Sequence, residues 1–180
     1  MIASSQDVLA FWREAGAEKW FKKNTSFDDA IRARFLATYE AAATEKLSHW
    51  EQTREGALAL VIVLDQLPRN MFRGDARTYA ADPLARVVAE RAIAQGFDRE
   101  TPAAERQFFY LPFEHSESLP DQERCCALFR STGDAEQLKW AEHHAGIIRR
   151  FGRFPHRNAV LGRVTTPEEQ AFLDEGGFKG

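Results

Sequence analysis

The chain has 180 residues, 44% hydrophobic, 28% charged and 12% aromatic, the composition of one ordinary globular domain able to bury a sizeable core. A net charge of −3 and a pI of about 6.0 exclude a global basic field for nucleic acid or an anionic membrane. The 24 basic residues are 18 Arg and 6 Lys, a skew toward the planar fork that grips carboxylates and phosphates.

Helix signals recur from end to end. Ser4 or Ser5 precedes Val8, Leu9, Phe11 and Trp12, a short helix ending near Gly16. Ser26 with Asp29 reads as a capping box, opening a long amphipathic helix through Phe27, Ile31, Phe35, Leu36 and Tyr39. Residues 57–64, the longest apolar run, contain three β-branched residues in a row but find no second strand to pair with. The run is therefore expected to be a buried central helix, and it is too short to span a bilayer. Asp82-Pro83, Thr101-Pro102 and Thr166-Pro167 are start signals with proline at the first helical position, the last completed by Glu169. Asp134 to about Phe151 is another long helix, stopped by Gly152 and Pro155. The expected fold is all-α, about eight helices in antiparallel hairpins, in a single domain over residues 1–180. No convincing repeat at the tetratricopeptide period of about 34 residues is found.

The adjacent Cys125 and Cys126 point roughly 100° apart on a helix, which disfavours a disulfide between them and fits a reducing compartment. Residues 1–7 show neither a basic start nor an apolar core, so no signal peptide is visible. The expected location is cytoplasmic.

Three blocks concentrate ionisable groups. In Asp65-Gln66-Leu67-Pro68-Arg69-Asn70-Met71-Phe72-Arg73-Gly74, Asp65 shares a face with Val61 and Leu58 and should be buried. It then needs a partner, with Arg69 and Arg73 the nearest. A brace at a proline-terminated helix end and a ligand or catalytic role both remain open. Glu114-His115-Ser116-Glu117 follows Pro112 and is expected in a turn beyond the helix from Thr101. It could position a general base, offer metal ligands, or neutralise arginines further on. No metal-binding spacing accompanies it, so no metal is assigned. From His143 to Pro167 the chain carries five arginines and three histidines and no acid. A helical wheel places Trp140, Ala141, Ala145, Ile147, Ile148 and Phe151 on one apolar face with His144 among them, and His143 and Arg150 on its flank. Arg153, His156, Arg157 and Asn158 are expected to project from the loop that follows. That loop lacks the glycine spacing of a phosphate loop.

The blocks Asp65 to Gly74, Phe109 to Glu117 and Arg150 to Asn158, taken together, resemble the uncharacterised family catalogued as domain of unknown function 924. The resemblance covers nearly the whole chain. It implies an all-helical, tetratricopeptide-like fold and no particular activity, cofactor or partner; the absent tetratricopeptide consensus is its one departure.

Two functions are expected from these residues. The first is a concave polar site for a small anionic ligand, with or without catalysis. Arg69, Arg73, Arg153 and Arg157 would hold the anion, with Asn70, Glu117, His144 and Asn158 lining the site. Glu114, His115 and His156 are the proton-transfer candidates, oriented by Asp65. The second is a protein- or peptide-interaction module without chemistry of its own. The cofactor, if any, is unknown.

Overall fold

A helix apolar on every side must be surrounded by others, and residues 57–64 form one. The computed structural model describes residues 1–178 and contains no strand among them. The chain divides into two compact units, Met1–Pro112 and Phe113–Gly180.

The first unit begins with α1 (Ser5–Ala15), α2 (Ala17–Trp20) and α3 (Thr25–Ala43), followed by a 3-10 turn at Ser48–Gln52. Then come α4 (Arg54–Val61), a π-helical turn (Ile62–Gln66), α5 (Leu67–Met71), a 3-10 turn (Ala76–Tyr79), α6 (Asp82–Ala94), α7 (Phe97–Glu100) and α8 (Ala103–Glu114). Every residue from Gly56 to Leu67 is buried, so the expected central helix is present. The π turn was not expected. In it the Leu67 amide reaches back five residues to the Ile62 carbonyl, immediately before Pro68, which has no amide to give. The helix thus runs through Pro68 rather than ending there.

Other local readings need correcting. The α3 N-cap is Asn24, whose side chain accepts from the Phe27 amide, and not Ser26. Asp82 is the first residue of α6 rather than its cap; its carboxylate is taken by Arg69. Thr101 donates its hydroxyl to the Phe97 carbonyl and so closes the preceding turn.

The second unit holds α9 (Leu119–Thr132), α10 (Ala135–Phe151), a 3-10 turn (Pro155–Arg157) and α11 (Pro167–Asp174). Only Gly133 and Asp134 separate α9 from α10. Gly133 takes the left-handed conformation that ends α9, and Asp134 caps α10 by accepting from the Gln137 amide, so the two form an antiparallel hairpin. The buried stripe of α10 is Ala141, His144, Ala145, Ile147 and Ile148. Trp140 lies at its margin and is 49% exposed, edge-on to the His143 ring at 6.0 Å. Gly152 ends α10 as expected, and the Thr166–Glu169 capping box opens α11. Among the described residues, eight helices have eight or more residues, the number the sequence suggests.

Gly56, in the first turn of α4, sits against the Trp50 carbonyl and the Thr53 hydroxyl; a Cβ there would overlap both. Gly56→Ala is expected to destabilise the protein by about 1–3 kcal/mol, read as a lower urea midpoint at unchanged m-value.

Candidate functional site

In the first unit, Asp65 is fully buried. One carboxylate oxygen accepts from the Gln66 amide at 2.6 Å and the other from Arg69 Nη2 at 3.2 Å. The same Arg69 nitrogen reaches Asp82 at 3.0 Å, and its guanidinium lies 5.7 Å from the Tyr79 ring. Asn70 donates to Asp28 at 2.7 Å, and Arg73 donates to both Asp28 oxygens at 2.6 and 3.3 Å. Arg32 donates to the Met71 carbonyl. Asp65, Arg69, Asn70 and Arg73 therefore tie α5 to α3 and α6. Both guanidinium groups hold carboxylates of the chain itself, which is the geometry of a brace.

The second unit gathers the other candidates. Here α8 continues through Pro112 and ends at Glu114, so Glu114 stands on the helix and only His115–Glu117 lie in the turn. That turn is clamped by Gln122, fully buried, whose amide donates to the Glu114 carbonyl at 2.5 Å and the Ser116 carbonyl at 2.7 Å. Glu114 and His144 are 5% and 6% exposed, and the carboxylate approaches the imidazole Nδ1 at 3.4 Å. The same Nδ1 lies 2.9 Å from the Trp140 carbonyl.

A carbonyl oxygen can only accept, so the proton of a neutral His144 sits on Nδ1 and its Nε2 carries the lone pair. Burial, ahead of any charge, drives the His144 pKa down to about 4; His115, His143 and Arg157 push the same way. The Glu114–His144 contact at neutral pH therefore joins a neutral imidazole to a carboxyl group and is not an ion pair. Cys125, a buried thiol outside any disulfide, is held protonated by burial and then by the charge of Glu114.

Basic side chains line the stretch beyond α10, and most are answered by acids. Arg153 grips Glu169 at 2.6 and 2.8 Å and the Val164 carbonyl at 2.9 Å. That fork is the first cause of the Glu169 pKa falling to about 2. Arg163 grips Glu117 at 2.7 and 3.0 Å, and Glu117 also accepts the Phe154 amide at 2.8 Å. Burial raises the Glu117 pKa, but the fork and this amide outweigh it and the net shift is downward. Arg157 and Asn158 are 7% and 0% exposed and so do not project, contrary to expectation. Arg157 donates to the His115 carbonyl at 2.9 Å and lies 4.6 Å over the Phe154 ring. Asn158 donates to Glu169 at 3.2 Å and Thr165 at 3.3 Å. Both turn inward because acceptors wait there.

The residue of this arrangement is an imidazole cluster. Four of the five histidines belong to the second unit, and the rings of His144 and His156 each lie 5.7 Å from that of Phe154. Sequence reasoning missed Gln122, Arg163 and the Trp140 carbonyl. Arg163 alone carried a signal, as the fifth arginine of the acid-free stretch. No group of three or more His, Cys, Asp or Glu among the described residues is placed to hold a metal ion.

Residues 8–177 match the family described as "Bacterial protein of unknown function (DUF924)". The fold matches the structure of a protein of unknown function, ATU0120, from Agrobacterium tumefaciens, with a TM-score of 0.93 and 47% identity over 96% of this chain and 97% of that one. No functionally curated protein matches.

Two outcomes are expected. Asp65→Ala leaves the part-buried guanidinium of Arg69 with Asp82 but without Asp65 and should cost about 1–3 kcal/mol in urea unfolding. For His144 the folded pKa lies below the ordinary 6.5, so the unfolded chain takes up the proton first. Stability therefore falls as pH drops from 6.5 to about 4, by roughly 3 kcal/mol at about 1.4 kcal/mol per pH unit. His144→Gln should flatten the stability curve in that window, measured by denaturation at stepped pH.

Proposed function

We propose that this chain, which belongs to the DUF924 family of bacterial proteins of unknown function, binds a small anionic ligand at the imidazole cluster of its second unit. The observation that carries the reading is the buried Glu114–His144 contact with Nδ1 held against the Trp140 carbonyl. The carbonyl fixes the tautomer and burial keeps the ring neutral, so Nε2 of His144 carries the lone pair at neutral pH. Arg157, His115 and His143 present positive or protonatable groups toward it, and that field draws an anion. His144 would accept a proton or hydrogen bond from the ligand, His156 and His115 would donate, and Arg157 would balance its charge. If catalysis accompanies binding, His144 is its general base. Arg153, Arg163, Arg69 and Arg73 hold carboxylates already and serve as the frame.

A second reading, a protein- or peptide-interaction module, is favoured by Trp140 and Val164, 49% and 83% exposed. In either case two buried cysteines that form no disulfide suit a reducing, cytoplasmic setting. No helix of the described residues is long and apolar enough to cross a membrane.

A thermal-shift screen tests the first reading. An anion at 100 times its dissociation constant adds about 2.7 kcal/mol and should raise Tm by about 5–10 °C. His144→Gln should abolish that rise. Small anions without effect, beside short peptides that do shift Tm, would reject the ligand site in favour of the interaction module.

A further inference from the structure

Helix α3 runs for 19 residues and carries no basic side chain in its last turn, so the negative end of its dipole meets no cation of its own. The chain leaves it through a tight turn. The Lys46 amide bonds the Ala41 carbonyl at 3.0 Å and the Glu45 amide bonds the Ala42 carbonyl at 2.9 Å. This turn puts Glu45 at φ +58°, the one positive φ outside glycine among the described residues. Glycine ordinarily fills such a position, because a Cβ is strained there. What Glu45 adds in place of glycine is a carboxylate at the rim of a cleft.

Glu45 and Ser48, with Glu51 of the same 3-10 turn as Ser48, edge this cleft, which reaches down to Leu60, Leu64 and Val88. All three belong to the buried core. Leu64 stands in the π turn, a helix irregularity common at functional sites. The cleft takes in about 200 Å³ counted to its open mouth, and its closed base has room for one group about the size of a water molecule.

The rim and the base ask for opposite things. The Glu45 carboxylate has no ion pair or hydrogen bond among the described residues. Arg91 holds Glu51 through a single nitrogen at 3.2 and 3.3 Å, long for a charged pair. The Ser48 hydroxyl donates to the Glu45 carbonyl at 2.7 Å, so toward a ligand it can only accept. A rim of acceptors at a negative helix end suits a cation with several N–H donors. The hydrocarbon base suits an apolar tail.

We infer that this cleft of the first unit binds a small primary alkylammonium. Its tail sits against Leu60, Leu64 and Val88, and its three N–H groups donate to Glu45, Ser48 and Glu51, the last shared with Arg91. A bare inorganic cation gains nothing from the base, and an alkyl carboxylate meets like charge at the rim. The site is separate from the imidazole cluster and requires nothing of it.

The test is an NMR titration of the whole chain at pH 7, read from backbone amides. The probes are propylammonium chloride, ammonium chloride and sodium propionate at matched ionic strength. Propylammonium should give saturable shifts at Glu45, Lys46 and Ser48. Ammonium, which lacks the tail, should bind about ten-fold more weakly, and propionate should leave these signals in place. Glu45→Gln should weaken propylammonium about ten-fold. Glu45→Gly removes the carboxylate and the strained φ together. It should raise the urea midpoint while losing propylammonium, which separates lost binding from lost fold. Equal propylammonium affinity in the wild type and either variant overturns the inference. So do ammonium binding as tightly as propylammonium, propionate moving the same amides as strongly, and wild-type shifts that never saturate.

Discussion

A guanidinium taken out of water has to meet an acceptor, and the second unit is organised around that demand. Residues 152–166 have little regular structure beyond one 3-10 turn, and their own backbone bonds reach no further than five residues along the chain, so longer-range ties must come from side chains. Two carboxylates from outside the stretch supply them. Glu117 takes the Phe154 amide and both terminal nitrogens of Arg163. Glu169 takes Arg153, Asn158 and the Thr166 amide. Phe154 is thereby pinned with no exposure, and His156 and Arg157, on the turn that follows it, are placed as a consequence. The buried Asp65–Arg69–Asp82 arrangement does the same for the first unit. Replacing either partner of such a pair strands the other, which is why the forks hold geometry more than they add net stability.

With the arginines engaged in framing, the reactive character of the site passes to its imidazoles. A histidine beside a carboxylate ordinarily gains a proton. Here burial prevails: desolvation is the largest influence on His144, it outweighs the opposing bond to the Trp140 carbonyl, and His115, His143 and Arg157 push the same way as burial. The outcome is a neutral ring with a fixed tautomer, its Nδ1–H donated to the Trp140 carbonyl. Such a group presents Nε2 as a hydrogen-bond acceptor and carries no proton there at neutral pH. The positive surroundings that keep it neutral also favour an anion next to it, so one arrangement sets both the base and its preferred neighbour.

The fold was largely legible because its signals are local. The apolar run 57–64, the Asp134 cap, the Gly152 stop and the Thr166–Glu169 capping box each depend on residues within a turn or two. Asp65 with Arg69 was legible for the same reason, being one turn apart. What escaped depends on partners far along the chain. Pro68 and Pro112 read as helix stops, yet both sit inside helices, Pro68 beside a π turn that periodicity does not reveal. Arg157 and Asn158 looked exposed because their acceptors, the His115 carbonyl and Glu169, are 42 and 11 residues away. Gln122 carried no signal at all, since a glutamine on a helix is usually solvated. The approach of Phe178 to His143, His144 and His156 is likewise a long-range event.

The account turns on the state of one ring, and ring-¹⁵N NMR of His144 reads that state directly. It should show a neutral imidazole with the proton on Nδ1 at pH 7, titrating only near pH 4. A His144 that titrates near 6.5, or that carries its neutral proton on Nε2, would contradict the account.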